Sequence, residues 1–145
     1  MNSRILFLIL RIIAAVILTQ TLWFKFSAHP DSVSLFSEVS VFLTGNAELE
    51  AMIRISTGVI ELAAALMLVW KKRAVIAIGA LLSTATMAGA ILTHFVIIGV
   101  AHKAADGTES IGLFIMACIV FLLSGIVLIR HWRNLPVIGK LGGCK

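Results

Sequence analysis

Five ionisable side chains lie within or beside long apolar stretches of this 145-residue chain: Arg11, Lys25, Arg54, Glu61 and His94. Ionisable groups inside a membrane are costly and usually face a protein interior or water, so they mark candidate sites. Glu61 could accept a proton in a relay. His94 could donate a hydrogen bond to a carbonyl group or shuttle a proton near neutral pH. Lys25 and Arg54 could stabilise negative charge that develops on the same oxygen.

The composition places these residues in a membrane protein. Apolar residues make up 60% of the chain and charged residues 13%, whereas soluble domains carry about 25% charged residues. Such a chain cannot cover a water-facing surface, and it is too apolar to be disordered. The net charge of +5 does not indicate nucleic acid, because the basic residues form no single stripe. The expected surroundings are therefore a lipid bilayer.

Four apolar stretches are long enough to cross the hydrocarbon core, which takes about 20 residues. They are predicted to be helices, since only a helix satisfies its own backbone polar groups in lipid. Their expected bounds are 5–26, 51–70, 74–101 and 111–129. A cleaved signal peptide is the competing interpretation of the first stretch, but Arg11 interrupts the run and favours a retained helix. The predicted fold class is an all-α membrane protein, one four-helix bundle over residues 1–145.

The connections between the stretches differ in kind. The tight basic link at 71–73 makes the second and third helices antiparallel neighbours. Between the first two helices, apolar residues recur near helical spacing over 31–44. Asp31 or Ser32 is a candidate N-cap and Gly45 a candidate stop. Because this segment is too short to span, it is predicted to be an amphipathic helix on the outer membrane face.

The distribution of Lys and Arg predicts the orientation. One side carries eight basic residues: Arg4, Lys71, Lys72, Arg73, Arg130, Arg133, Lys140 and Lys145. The other side carries only Lys25 and Lys103. We therefore expect both termini, including a tail over 130–145, to lie in the cytoplasm.

The depth of each charge suggests which charges can meet. At 1.5 Å of rise per residue, Arg11 and Glu61 lie roughly 10 Å and 13 Å from the cytoplasmic ends of their helices. They are predicted to form a structural ion pair. Lys25, Arg54 and His94 lie near the outer end, where they are predicted to form a ligand-binding cluster.

Simpler interpretations of the same residues remain open. The pair of Arg11 and Glu61 could do no more than fix helix packing, because a lone charge in hydrocarbon needs a partner whatever the function. The cations of the outer cluster could extend to the head groups, and His94 could be a hydrogen-bonded packing residue. Glu48 or Glu50 could also fold over and neutralise both cations, leaving no site.

Cysteine and histidine spacing limits other chemistries. Cys118 falls inside the fourth helix and Cys144 in the tail, and the chain has no C-x-x-C motif. Intrinsic thiol–disulfide chemistry is therefore not predicted. The four histidines form no close pair on one helical face, so neither a metal nor a haem site is predicted. No intrinsic cofactor is expected.

Short motifs resemble the DoxX and DoxX-like family of small four-helix membrane proteins. The similar segments are Trp23-Phe24-Lys25-Phe26, Gly58-Val59-Ile60-Glu61-Leu62-Ala63-Ala64-Ala65-Leu66 and Ala90-Ile91-Leu92-Thr93-His94-Phe95, together with the early Arg11. The family pattern often has a Gly shortly before the Lys of the first helix, where this chain has Thr21 and Leu22. The resemblance implies a bacterial inner-membrane protein, often linked to redox systems or quinone reduction.

The expected function is an accessory or catalytic subunit in quinone-linked membrane redox metabolism. The expected partners are the bilayer and other proteins of a membrane complex, and self-association is left open. The alternative is a non-enzymatic membrane scaffold or assembly factor whose buried charges are structural. An aromatic-lined cavity beside His94, or quinone that co-purifies with the protein, would favour the first function, and a fully paired, dry interior would favour the second.

Overall fold

A computed structural model describes residues 3–103 and 109–136 of the chain. Within these ranges the chain forms five α-helices: α1 (Ser3–Phe26), α2 (Pro30–Thr44), α3 (Glu50–Leu68), α4 (Arg73–Thr93) and α5 (Gly112–His131). The connecting elements are 3-10 turns at Ala47–Leu49 and Trp132–Asn134, a π-helical segment at His94–Ile98, and an antiparallel pair, β1 (His102–Lys103) and β2 (Glu109–Ser110). The predictions for Lys140, Cys144 and Lys145 concern residues outside the described ranges.

Four helical stretches are long and apolar enough to cross a membrane, which confirms the predicted all-helical membrane protein with four spans. They cover Ser3–Phe26, Ala47–Leu68, Arg73–Ile98 and Gly112–Asn134. Around the bundle, α1 packs on α3, α3 on α4, α4 on α5, and α5 returns to α1. This closed ring leaves one face of each helix for lipid and encloses the polar side chains of the other faces.

The third span is shorter than its apolar run predicts. Its helix was expected to continue to residue 101, but the π-helical segment ends at Ile98. Gly99 follows with φ +86°, a left-handed conformation that glycine adopts without steric cost and that ends the helix. The predicted polar loop over 102–110 begins and ends with the short strands β1 and β2.

Small residues let the helices approach closely. A Cβ atom on Gly79 would lie 2.5 Å from Cβ of Met67 and 2.9 Å from the backbone nitrogen of Leu68. The two helices that the tight 71–73 link joins are therefore in near-backbone contact, as small residues permit in membranes. Between α4 and α5, the buried hydroxyls of Ser83 and Ser124 form a hydrogen bond of 2.7 Å.

Helix α2 fills the connection between the first two spans. His29 caps it, because its Nδ1 accepts from the backbone N–H of Asp31 at 3.4 Å. The candidate caps Asp31 and Ser32 instead fall within the first turn, after Pro30, whose ring suits that position. At the other end Gly45 takes φ +74° and its N–H donates to the carbonyl of Val41, which confirms the predicted stop.

The two ends of the bundle differ in charge. At one end, called the basic end below, Arg4 lies in the first turn of α1, the 71–73 link joins α3 to α4, Arg130 lies in the last turn of α5, and Arg133 lies in the 3-10 turn after it. At the opposite end, called the acidic end, lie Asp31, Glu38, Glu48 and Glu50. The candidate cavity described next lies between the spans toward the acidic end.

Candidate functional site: a polar-walled cavity between the spans

A buried ion pair joins α1 to α3. The Nζ atom of Lys25 donates to Oε2 of Glu61, and the two side chains are 13% and 3% exposed. The hydroxyl of Thr21, one turn before Lys25, shares its proton between the carbonyl oxygen of Leu18 at 2.8 Å and the same Glu61 carboxylate oxygen at 3.3 Å. Glu61 is thus held by two groups from one face of α1, which is the i, i+4 geometry of a helix.

The predicted pair of Arg11 with Glu61 is wrong. Arg11 donates from Nε to the carbonyl oxygen of Leu68, and from Nη2 to that of Trp70 at 2.7 Å. The last carbonyls of a helix have no intrahelical partner, so they are strong acceptors for a guanidinium that reaches them. Arg11 is therefore level with the end of α3, about 12 Å along α1 from Ser3 at the helical rise. The prediction assumed that the start of α1 and the end of α3 lie at the same level, but the end of α3 lies beside Arg11 instead.

Arg54 is neutralised within its own turn. Its Nε atom donates to the Glu50 carboxylate four residues earlier, and its Nη1 atom donates to the backbone carbonyl of Lys25. The predicted outer cluster therefore does not form as a set of three. Glu50 does fold onto a cation, as the simpler interpretation allowed, but only onto Arg54, while Lys25 turns inward to Glu61.

His94 is buried at the start of the π-helical segment, with 4% of its surface exposed. Its Nδ1 atom lies 3.1 Å from the carbonyl oxygen of Gly99, and its ring meets Phe114 edge-on at 5.6 Å between centroids. Since a carbonyl only accepts, this hydrogen bond requires the proton on Nδ1. In a neutral ring the other nitrogen, Nε2, is then an acceptor.

A cavity of about 570 Å³ lies between the five helices. Lys25, Thr21 and Glu61 form part of its wall on the α1 and α3 side, and His94 forms part of its wall on the α4 side. The lining is otherwise mostly apolar. Arg54 does not line the cavity, so of the predicted outer cluster only Lys25 and His94 face it. Ligand pockets typically have this size and this mixture of apolar walls and few polar groups.

Two parts of the cavity were not predicted from the sequence. Helix α2, which the sequence predicts to lie on the outer membrane face, also covers the cavity with the side chains of Leu35, Phe36 and Val39. Gln20 and Thr21 add polar groups from α1. In the sequence these two residues are a polar interruption just before Trp23. The same pattern is equally typical of the end of a membrane span, so it does not indicate a cavity wall.

The arrangement can hold an apolar molecule that carries hydrogen-bonding oxygens. Lys25 offers donors, Glu61 offers an acceptor, and the ring of His94, when it carries a single proton on Nδ1, offers an acceptor at Nε2. Among the described residues no group of three or more His, Cys, Asp or Glu side chains could hold a metal ion. Cys118, partly exposed on α5, is a free thiol.

Comparisons of the chain with protein-family models, with curated proteins and with solved structures find no match. The class of the protein therefore follows from its own features. It is an integral membrane protein with four helical spans and an internal, mostly apolar cavity. A buried Lys25–Glu61 pair and a buried His94 share the wall of that cavity.

Proposed function

We propose that this chain is a DoxX-like protein of the bacterial inner membrane that binds a quinone in the cavity. It serves as an accessory or catalytic subunit in membrane redox metabolism. One observation carries the proposal: the Lys25–Glu61 pair and His94 line the same mostly apolar cavity inside the spans. A quinone combines a flat apolar ring and an apolar tail with two oxygen atoms. The ring and tail suit the apolar lining of the cavity, and the oxygen atoms suit its hydrogen-bonding side chains.

The hydrogen bond between His94 and Gly99 determines whether His94 can bind the quinol or the quinone form of the ligand. In the neutral ring Nδ1 is committed to Gly99, so Nε2 accepts a hydrogen bond, or a proton, from the hydroxyl of a quinol. This replaces the sequence-based hypothesis that neutral His94 donates to a quinone carbonyl. Lys25 is the donor suited to a carbonyl, and Glu61 can take the proton that Lys25 or a bound hydroxyl releases.

In the proposed function, this chain transfers protons and a partner protein transfers the electrons. Interconversion of a quinone and a quinol takes two electrons and two protons. Lys25, Glu61 and His94 supply or accept protons, whereas a protein partner in a membrane complex supplies or takes the electrons. The proposal therefore includes such a partner.

The test is binding of a short-chain ubiquinol and ubiquinone to the delipidated protein, beside a lipid extract of the protein as purified. His94→Ala removes the acceptor and should weaken binding of the quinol about three- to tenfold, with a smaller effect on the quinone, whereas His94→Gln keeps an amide acceptor and should do less. Helical content and thermal unfolding should match the parent. The proposal fails if the parent binds neither form, or if His94→Ala binds both as the parent does.

The second candidate is a membrane scaffold or assembly factor. It is favoured by the pairing of both buried charges: Glu61 with Lys25, and Arg54 with Glu50. Such pairs hold helices together without any ligand. A parent protein that retains no quinone and binds none would establish this alternative.

The proposed orientation places both termini in the cytoplasm, following the excess of Lys and Arg at the basic end. In a Cys118→Ala background, Cys144 is the remaining thiol of the sequence. A membrane-impermeant maleimide should leave Cys144 unlabelled in intact spheroplasts and label it after the membrane is opened. Labelling of Cys144 in sealed spheroplasts would show that the protein has the opposite orientation in the membrane.

A further inference from the structure

A second concave surface lies at the basic end, far from the cavity. It is a groove of about 430 Å³ between the start of α1 and the end of α5. Its walls are Phe7, Ile126, Ile129, Arg130, Trp132 and Arg133. We refer to it as the basic groove, and it takes no part in the proposed quinone site.

The basic groove changes character along its length. Counted from Ile126, the residues Ile129, Arg130 and Arg133 follow after three, four and seven positions, so they lie on one side of the α5 end and of the 3-10 turn after it. Ile129 is 78% exposed and Trp132 53%, which places apolar surface toward lipid and an indole at the expected interface level. The apolar part therefore lies deeper in the bilayer, and the two guanidiniums lie at its rim.

The positive charge of the basic groove is uncompensated within the described residues. The acidic residues whose side chains the structure describes lie on α2, in the turn after it or on α3, and none of their carboxylates pairs with Arg130 or Arg133. The Arg130 guanidinium lies 5.6 Å from the centre of the Phe7 ring, which fixes it at the edge of the groove.

We propose that the basic groove binds an anionic phospholipid, with the phosphate on Arg130 and Arg133 and an acyl chain along Ile126 and Ile129. Basic pockets between spans recognise acidic lipid head groups in this manner. A second copy of the chain is a poor occupant, because two copies inserted in one orientation bring their basic ends to the same level. Residues 137–145 are also unsuitable, since they add Lys140 and Lys145 but no Asp or Glu.

The chain supplies a matched pair of reporters for the test. Trp132 lines the groove, whereas Trp70 lies beside the basic 71–73 link without lining it. Two single-tryptophan proteins, Trp23→Phe/Trp70→Phe and Trp23→Phe/Trp132→Phe, are reconstituted in phosphatidylcholine vesicles. Quenching by brominated phosphatidylglycerol is compared with quenching by brominated phosphatidylcholine. The relative association constant at Trp132 should favour phosphatidylglycerol about fivefold or more, and at Trp70 clearly less.

Substitutions of basic residues then show which side chains cause the preference for phosphatidylglycerol at Trp132. Arg130→Gln/Arg133→Gln should bring the ratio at Trp132 down to that at Trp70, while Lys71→Gln/Lys72→Gln and Arg130→Lys/Arg133→Lys keep most of it. Unchanged quenching by brominated phosphatidylcholine reports an intact fold. Equal ratios at the two tryptophans, or equal losses in both glutamine variants, would overturn the proposal. Loss of the preference on adding soluble glycerol phosphate would assign the groove to a free phosphate compound instead.

Discussion

Lys25→Met and Glu61→Gln should each lower the free energy of unfolding by about 3–5 kcal/mol, because each change breaks a buried ion pair. Lys25→Met leaves the carboxylate with only the Thr21 hydroxyl, and Glu61→Gln leaves a buried ammonium without its counter-ion. The double variant removes both charges and should be clearly more stable than the sum of the single losses predicts. The measurement is unfolding by SDS titration in mild detergent.

A second double-mutant cycle uses Arg11, the partner that the sequence suggested for Glu61. Arg11→Met removes hydrogen bonds to two carbonyls at the end of α3, and its loss should add to that of Glu61→Gln within about 0.5 kcal/mol. Glu48→Gln, an exposed change at the acidic end, should have little effect. Coupling of Arg11 to Glu61 together with additivity of Lys25 and Glu61 would contradict the observed pairing.

The features that sequence predicts well here are those that one segment determines by itself. Each span is a run of about 20 apolar residues that must be helical in lipid, whatever its neighbours do. The pairing of Glu50 with Arg54 follows from an i, i+4 spacing within one helix. The end of α2 at Gly45 follows from the freedom of glycine at a left-handed position.

The partner of Glu61 depends on how two helices are staggered, which no single segment determines. Arg11 and Lys25 are fourteen residues apart, close to four helical turns, so they lie on nearly the same face of α1. Either could meet Glu61 if α1 slid along α3. The observed stagger places the end of α3 beside Arg11, and the carbonyl oxygens of Leu68 and Trp70 accept hydrogen bonds from the guanidinium.

The cavity could be predicted only in part for a similar reason. The apolar run around His94 indicates a span, and its helical spacing from Ser83 and Met87 indicates an inward face, where the structure places all three as buried residues. The π-helical turn that brings Nδ1 to Gly99 has no such local signal. Neither does the position of α2, which covers the cavity because of how α2 packs on α3 and the π-helical segment.

Gly89→Phe should weaken binding of the short-chain ubiquinol by about tenfold or more, because added volume in a filled site costs about 1–3 kcal/mol. Gly89 lines the cavity, and a Cβ atom at this position would meet no heavy atom within 4 Å. The new ring therefore enters space that a ligand would otherwise occupy, without displacing protein atoms near the backbone. The measurement is a binding titration of the delipidated protein.

Gly125→Phe is the matched control for this change. Gly125 has equally open surroundings within 4 Å but lies on α5 away from the cavity lining, so its variant should bind as the parent does. Both variants should unfold within about 0.5 kcal/mol of each other, since neither glycine sits at a close helix contact. Equal binding by parent, Gly89→Phe and Gly125→Phe would place the ligand outside the cavity. A loss in Gly89→Phe alone would tie binding to the space that His94 shares with the Lys25–Glu61 pair, which a purely structural role for these charges does not explain.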